Sequence, residues 1–524
     1  MDTTTAVPDP AAPEAATTAQ AGPRPRGQLG RRTPRLAIAV IAASAFCLEM
    51  AVSARYGYVR DELYFLAAGR HLAPGYVDQP ALTPLIARIS AILSGNSLVG
   101  LRVVPALGLA ALVVMTAAMS RLLGAGRAGQ VLAALAAATC GEYIGAMHEL
   151  TTTMPDFVFW TATLLLVTRL VASQNPRWWL AIGGCVGVAG DAKWNIAFLA
   201  ASIGAGFLAV GPRHLLRSRY LVIGCAIAVA LALPDIVWQA AHGWPNLAVF
   251  RALQAQAWHN RVTYWPAQIL FTGIALTPIW VAGLIWTLRR GSPGRAFRAV
   301  TVACLISIAA QFVLGGKPYY SGAAYSFLLA AGAVRAERWL AGRPPVFSRF
   351  SPVTVRAAGL LASAAMVLPV AIPVLPAGVL HSIPLQKINY DLAESIGWPK
   401  QVAMVGREYA ALPASLRQHT TILAGNYGEA GALDRYGRQF GLPPEYSGAN
   451  SFWLWGPPPA ADTAAIAVNV DPALLRREFA HVRLLTTFWN GLGVSDDEQG
   501  ARIYLATGLR SSWSSAWPAF RDYS

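Results

Sequence analysis

The chain passes repeatedly through runs of roughly 16–22 apolar residues, and no soluble domain has an interior able to take up so many of them. Such runs fold as membrane-spanning helices, because a helix satisfies its own backbone hydrogen bonds in lipid. Composition agrees. Of the 524 residues 55% are hydrophobic and 13% charged, where soluble domains carry about 25% charged residues. The runs lie near 36–53, 98–119, 128–146, 157–173, 178–192, 194–211, 219–237, 267–288, 297–314, 322–340 and 357–376. They predict a polytopic α-helical protein of about eleven transmembrane helices.

The net charge of +16 would suggest nucleic acid in a soluble protein. Here the arginines fill alternate short connections: Arg121 and Arg127; Arg177; Arg213, Arg217 and Arg219; Arg289, Arg290, Arg295 and Arg298; Arg335, Arg338, Arg343, Arg349 and Arg356. The positive-inside rule places these connections and the N-terminus in the cytoplasm, and an odd number of spans places the C-terminus outside a plasma (inner) membrane. No basic face with interleaved aromatics is present, which excludes a nucleic-acid partner. Residues 1–35, rich in Ala, Pro, Thr and Arg, read as a disordered cytoplasmic tail, followed by an uncleaved anchor rather than a signal peptide. Cys47, Cys140, Cys185, Cys225 and Cys304 all sit in apolar runs without a CxxC, and read as small core residues.

Character changes over 381–524. "TTILAGNY", "AAIAVNV", "HVRLLTTF" and "ARIYLATG" read as strands, with "GEAGALDRYGRQFG" and "DPALLRREFAH" as helices between them. This alternation predicts a small extracytoplasmic α/β domain after a membrane unit at 36–380, whose first outer loop spans 54–97.

The connections opposite the basic ones hold the acids: Asp61, Glu62, Asp78, Glu142, Glu149, Asp156, Asp191 and Asp235, together with Lys193 and Lys317. Ionisable groups at membrane depth are costly and mark function. In the first loop, "RYGYVRDELYFLAAGRHLAPGYVDQPALTP", Tyr58 and Tyr64 belong to an interfacial aromatic belt around Asp61 and Glu62. Neighbours on a helix point about 100° apart. One acid is therefore expected to work while the other pairs with Arg60, Arg55 or Arg70; the plain alternative is a solvated ion pair. Asp156 either stabilises a helix N-terminus or joins Asp61, His148 and Glu149 in one cavity. An oxygen-rich set holding Asp61 and Asp156 would suit Mg²⁺, Mn²⁺ or Ca²⁺. Lys193 in "GDAKWN" and Lys317 in "GGKPYYSGAAY", with Tyr319, Tyr320, His242, Arg251, His259 and Arg261, either snorkel or hold an anionic ligand. Trp453 and Trp455 either stack on sugars or pack against the membrane unit. A P-loop, a Rossmann fingerprint, a GxSxG elbow and HExxH are all absent, which argues against nucleotide and zinc-protease chemistry.

The stretches "RDELYFLAAGRHLAPGYVDQPALTPLIAR", "TTTMPDFVFW", "GVAGDAKWNIAFL", "WQAAHGWPNL", "KPYYSGAAYSFLLAAGAV" and "NYGEAGALDRYG" follow one another in the order found in glycosyltransferase family 39. Over about 55–456 the chain resembles the bacterial members of that family, GT-C-type membrane enzymes related to protein O-mannosyltransferases and the lipid A aminoarabinose transferase. The resemblance implies a polyprenyl-phosphate sugar donor and a glycan, lipid or protein acceptor. It implies Asp61 as catalytic base with Glu62 beside it, Asp156 positioning acceptor or metal, and Lys193 near the donor phosphate. Lys317 and Arg261 are further candidates for the phosphate, and Tyr58, Tyr64, His148, Glu149, Tyr319 and Tyr320 for the substrates. In place of the VDQPPL frequent in the family the chain has "VDQPAL", with Ala81 for a proline. The rival readings are a secondary transporter, which would place its charges at the midplane of inverted repeats, and a lipid-binding scaffold of the envelope.

Overall fold

The computed structural model describes residues 33–341 and 352–523. Most of the tail expected over 1–35 lies outside the described residues, as do Arg343, Arg349 and the side chain of Arg356. Every apolar run forms helix. α1 (Arg35–Val52) leads to the short α2 (Arg60–Ala68) and to α3 (Leu82–Ser94). Then come α4 (Leu98–Leu101), α5 (Val103–Leu122), α6 (Arg127–Ala138), α7 (Gly141–Ala146), α8 (Thr153–Ser173), α9 (Trp178–Gly190), α10 (Ile196–Val210) and α11 (Arg219–Ala241). α12 (Pro245–Gln254), α13 (Ala257–Thr272), α14 (Thr277–Leu288), α15 (Arg298–Leu314), α16 (Tyr325–Ala341) and α17 (Pro352–Ala371) complete the helical part.

Among the described residues, 5 segments are each long and apolar enough to cross a membrane: α1, the α4–α5 stretch, α8, α11 and the stretch ending in α15. α13 and α14 qualify together, but with an 85° bend between them. The run at 267–288 is therefore two helices, not one. The break falls at Gly273, whose φ of +103° is open to glycine and strained for other residues. The run at 128–146 breaks likewise, between α6 and α7. Both breaks border the cavity described below, the setting in which irregular backbone is tolerated at membrane depth. Elsewhere the helices pack through small and hydroxyl side chains. A Cβ on Gly283 of α14 would fall 2.6 Å from the Gly332 amide of α16, and Thr301 donates to Thr287 at 2.7 Å.

The C-terminal part runs α18 (Trp398–Ala410), α19 (Ala414–Arg417), β1 (Thr420–Ala424), α20 (Tyr427–Tyr436), β2 (Glu445–Ser447), α21 (Asn450–Leu454), β3 (Ala464–Val468), α22 (Pro472–Glu478), β4 (Phe479–Thr487), β5 (Arg502–Leu509) and α23 (Trp513–Ala516). The strands form one sheet in the order β2-β1-β3-β5-β4. β1 runs parallel to β2 and β3, while β5 runs antiparallel to β3 and β4. All of β1 and β3 is buried, as central strands covered on both faces require. The four strand segments expected from sequence are β1, β3, β4 and β5; the 3-residue β2 is too short to show a period.

This sheet domain shares its core with the membrane helices: Leu63 and Phe65 of α2 lie in one apolar cluster with Trp398, Ile422 and Ala430. Close approach of α20 to α2 requires glycine. A Cβ on Gly431 would fall 2.8 Å from the Leu63 carbonyl carbon, and one on Gly428 would fall 3.0 Å from Arg60 Cβ. Trp455 stacks on His71 at 4.3 Å, and Trp453 donates to the Trp517 carbonyl at 3.2 Å. Trp455 thus packs on the first outer loop, and Trp453 within the sheet domain.

Candidate active site

A cavity of about 980 Å³ opens where α2, the 141–153 segment, the α9–α10 turn, the 317–320 turn and the sheet domain meet. One wall is charged, with Asp61, Glu149, Lys193, Lys317 and Asp391. Its lining also includes the apolar Leu253, Leu270, Phe271, Ile274, Met366 and Val367 from α12, α13, α17 and the α13–α14 break. A cavity lined by both ionic and apolar side chains suits an amphiphile carrying a charged head.

The two adjacent acids have opposite fates. Asp61 faces the cavity and accepts a hydrogen bond from the Tyr427 hydroxyl at 3.0 Å. Glu62 turns inward and is fully buried. It accepts from Arg102 Nε at 3.0 Å and Nη2 at 2.8 Å, and from the amides of Val59 at 3.0 Å and Leu150 at 3.2 Å. Its partner is therefore Arg102, not Arg60, Arg55 or Arg70. Those three bind Glu394 and Asp497, the carbonyls of Pro373 and Val374, and Asp434 respectively. Arg102, the residue that caps α5, lies 40 positions downstream, so local spacing carries no trace of the pair. Glu62 thus fixes α2, and through α2 the direction of Asp61.

Lys193 and Lys317 both line the cavity. Lys193 Nζ lies 4.2 Å from the Tyr320 ring centroid and 3.5 Å from Thr153 Oγ1, and Lys317 Nζ lies 5.9 Å from that of Tyr319. Burial pushes the Lys193 ammonium down to about 8, against the opposing pull of Asp156. Asp156 does not itself line the cavity. Its Oδ2 accepts from Asn195 at 2.9 Å, and Asn195 Oδ1 in turn accepts from Gln311 at 2.6 Å. It thereby braces the turn that carries Lys193. Of the two acids expected as ligands of one cation, Asp61 lines the cavity and Asp156 does not. Among the described residues no group of three or more His, Cys, Asp or Glu could hold a metal ion.

The remaining candidates divide. His148, Glu149, Tyr319 and Tyr320 line the cavity. His148 is sandwiched between Arg102 at 3.2 Å and Glu49 at 3.0 Å, and burial, with Arg102, pushes its imidazole well below the usual range. Tyr64 stands behind the wall and donates to Asp78 at 2.7 Å. Tyr58 donates to the Asn96 carbonyl at 2.9 Å, away from the cavity. Arg261 donates to the Val313 carbonyl at 2.8 Å and does not line the cavity, whereas His259 does. Sequence reasoning missed Asp391, Tyr390, Tyr427 and Asp497, all on the wall and all from the C-terminal part. Burial raises Asp391, with Asp61 adding to the effect, and raises Glu149, with Asp391 adding to it. The acids of this wall therefore crowd one another. Only the "NYGEAG" turn carried a signal for any of the missed residues.

Residues 78–238 match a family model described as dolichyl-phosphate-mannose-protein mannosyltransferase. No curated protein matches the chain. ArnT from Cupriavidus metallidurans bound to undecaprenyl phosphate has a similar structure, with a TM-score of 0.54 at 14% identity over 90% of this chain and 97% of that one. Its apo state gives 0.55 at 14% identity over the same shares. Arabinofuranosyltransferase AftD from Mycobacteria gives 0.49 at 15% identity over 91% of this chain and 42% of that one. The fold is thus shared with ArnT along nearly the whole chain, and residues 78–238 match the mannosyltransferase family model.

Proposed function

We propose that this chain, with a mannosyltransferase-family segment at 78–238 on the ArnT fold, is a glycosyltransferase of the plasma membrane. It moves a sugar from a polyprenyl phosphate to an acceptor hydroxyl of the cell envelope at the outer face, with the N-terminus cytoplasmic and the sheet domain outside. The observation that carries this reading is one cavity lined by the Asp61 carboxylate, Lys193 and Lys317 and also by apolar side chains that could meet a prenyl chain. The solved relative binds undecaprenyl phosphate, a ligand of that chemistry.

The chemistry follows from the groups present. The acceptor hydroxyl gives its proton to the Asp61 carboxylate as its oxygen forms a bond to the anomeric carbon. The bond from that carbon to the phosphate oxygen breaks, and the phosphate leaves with the electron pair. Lys193 and Lys317 stabilise the charge that builds on it. A single displacement inverts the anomeric centre, so a β-linked donor gives an α-linked product.

The test is mass spectrometry of envelope glycans, lipids and glycoproteins from cells carrying the wild-type chain or Asp61→Asn, paired with turnover by the purified protein. Turnover is read as undecaprenyl phosphate released from undecaprenyl-phosphate-linked hexoses and pentoses, with an envelope extract as acceptor. Loss of one sugar substituent in the variant supports the enzyme. Identical envelopes, or no turnover of any such donor by the wild-type protein, sink it in favour of a scaffold.

The lysine pair gives a pH prediction. Lys193 carries its charge below about 8 and loses it as the pH rises through that value. Affinity for undecaprenyl phosphate should therefore fall above that pH, by about tenfold, the worth of one charge-assisted hydrogen bond. Lys193→Arg should flatten the profile. Binding titrations on both sides of that pH check it, and a flat wild-type curve contradicts it.

A further inference from the structure

We propose that Tyr427, supplied by the C-terminal sheet domain, is a positioning residue for the reaction, holding one oxygen of the Asp61 carboxylate so that the other is presented to the acceptor. The inference rests on reading Asp61 as the base and gives the sheet domain a working part in the membrane site.

The contact spans 366 positions of the chain, at 3.0 Å. Among the described residues it is the one hydrogen bond shown to the Asp61 carboxylate. Since an unanchored carboxylate rotates freely about its last torsion, one fixed donor decides where the second oxygen points.

Tyr427 is itself fixed from several sides. The Arg60 guanidinium lies 4.8 Å from its ring centroid, and the Tyr64 ring packs at 5.3 Å. Arg60 in turn is held by Tyr390, by Glu394 at 3.4 Å and by Asp497 at 2.9 Å, all from the C-terminal part. The residue next to the base is therefore tied to the same domain as the residue that touches the base.

The local fold explains the placement. β1 ends at Ala424, and Tyr427 opens α20 just beyond its carboxyl end, the edge at which parallel sheets present functional groups. Asn426 caps the helix by accepting from the Glu429 amide at 2.8 Å, while Glu429 accepts from the Asn426 amide at 3.3 Å. Gly428 and Gly431 then let α20 lie directly on α2. Burial, with Asp61 adding to it, pushes the Tyr427 phenol well above its ordinary range, so it remains a donor throughout the working pH.

The test uses the purified full chain in four forms: wild type, Tyr427→Phe, Asp61→Asn, and the double variant. Turnover is read as undecaprenyl phosphate released from undecaprenyl-phosphate-linked sugars. Tyr427→Phe keeps the ring and its packing. It is expected to lower kcat about tenfold or more, the scale of a misplaced reacting group. KM, the melting temperature and stabilisation by undecaprenyl phosphate should stay as in the wild type. In the Asp61→Asn background the same change should cost nothing further, because Tyr427 acts through Asp61 alone. A wild-type kcat in Tyr427→Phe beside a disabled Asp61→Asn overturns the proposal alone. So does a loss that persists undiminished in the double variant, or one that merely follows a lowered melting temperature. Wild-type turnover in Asp61→Asn overturns the assignment of the base, and this proposal with it.

Discussion

Asp61→Asn should lower kcat by about 10²–10⁴-fold, the usual contribution of a positioned proton acceptor, with little change in stability. The amide matches the carboxylate in shape and still offers an oxygen to Tyr427, whose hydroxyl donates to Oδ1 at 3.0 Å. What it lacks is the capacity to take the acceptor's proton. Because Asp61 lies on the cavity wall and pairs with no cation among the salt bridges of the described residues, removing its charge leaves no buried partner stranded. The melting curve in detergent and the stabilisation by undecaprenyl phosphate should therefore match the wild type while sugar transfer collapses. Retention of wild-type turnover would remove Asp61 from the reaction as its general base.

The helical, membrane-embedded class was legible because it depends on composition and run length, which are local properties of the chain. The breaks in the runs at 128–146 and 267–288 were less so. Gly273 sits within a mostly apolar run, and the positive φ that breaks the helix there, beside the cavity, is a feature of the fold. The sheet domain was read strand by strand because four of its strands are long enough to show their pattern. Its role was hidden. Asp391 and Tyr427 reach Asp61 only through tertiary contact, across hundreds of residues, and no sequence period encodes a contact of that range. The same limit misassigned the partner of Glu62. Basic residues close in sequence were the natural choices for it, yet burial on α2 selects Arg102, which enters from the start of α5. Asp156 shows the reverse case. Its position at the first turn of α8 was legible, and its contact with Asn195 makes it a brace for the lysine turn rather than a second acid on the cavity wall.

Arg102→Met, in contrast with Asp61→Asn, should cost about 3–5 kcal/mol of stability, the penalty of stranding a buried charge. Glu62 is fully buried and Arg102 is 2% exposed. Arg102 also donates to the Ser53 and Gly57 carbonyls, each at 2.9 Å, so the ion pair closes the loop that joins α1 to α2. A loss of that size is a large part of the about 5–15 kcal/mol that separates folded from unfolded states in typical domains. Glu62→Gln should be destabilising for the mirror reason, because it leaves the guanidinium uncompensated. The double variant, Glu62→Gln with Arg102→Met, should recover part of the loss. Neither charge then remains, while the glutamine oxygen can still accept from one of the two amides, Val59 or Leu150, that now bind separate oxygens of Glu62. Melting temperatures of the four proteins close the cycle. A double variant no more stable than Arg102→Met would mean that the pair is not the source of the loss. A wild-type melting curve for Arg102→Met would mean that α2 is held by its apolar contacts alone. The two acids at 61 and 62 are then separable by experiment: one substitution removes chemistry from a folded protein, and the other removes the fold that aims the chemistry.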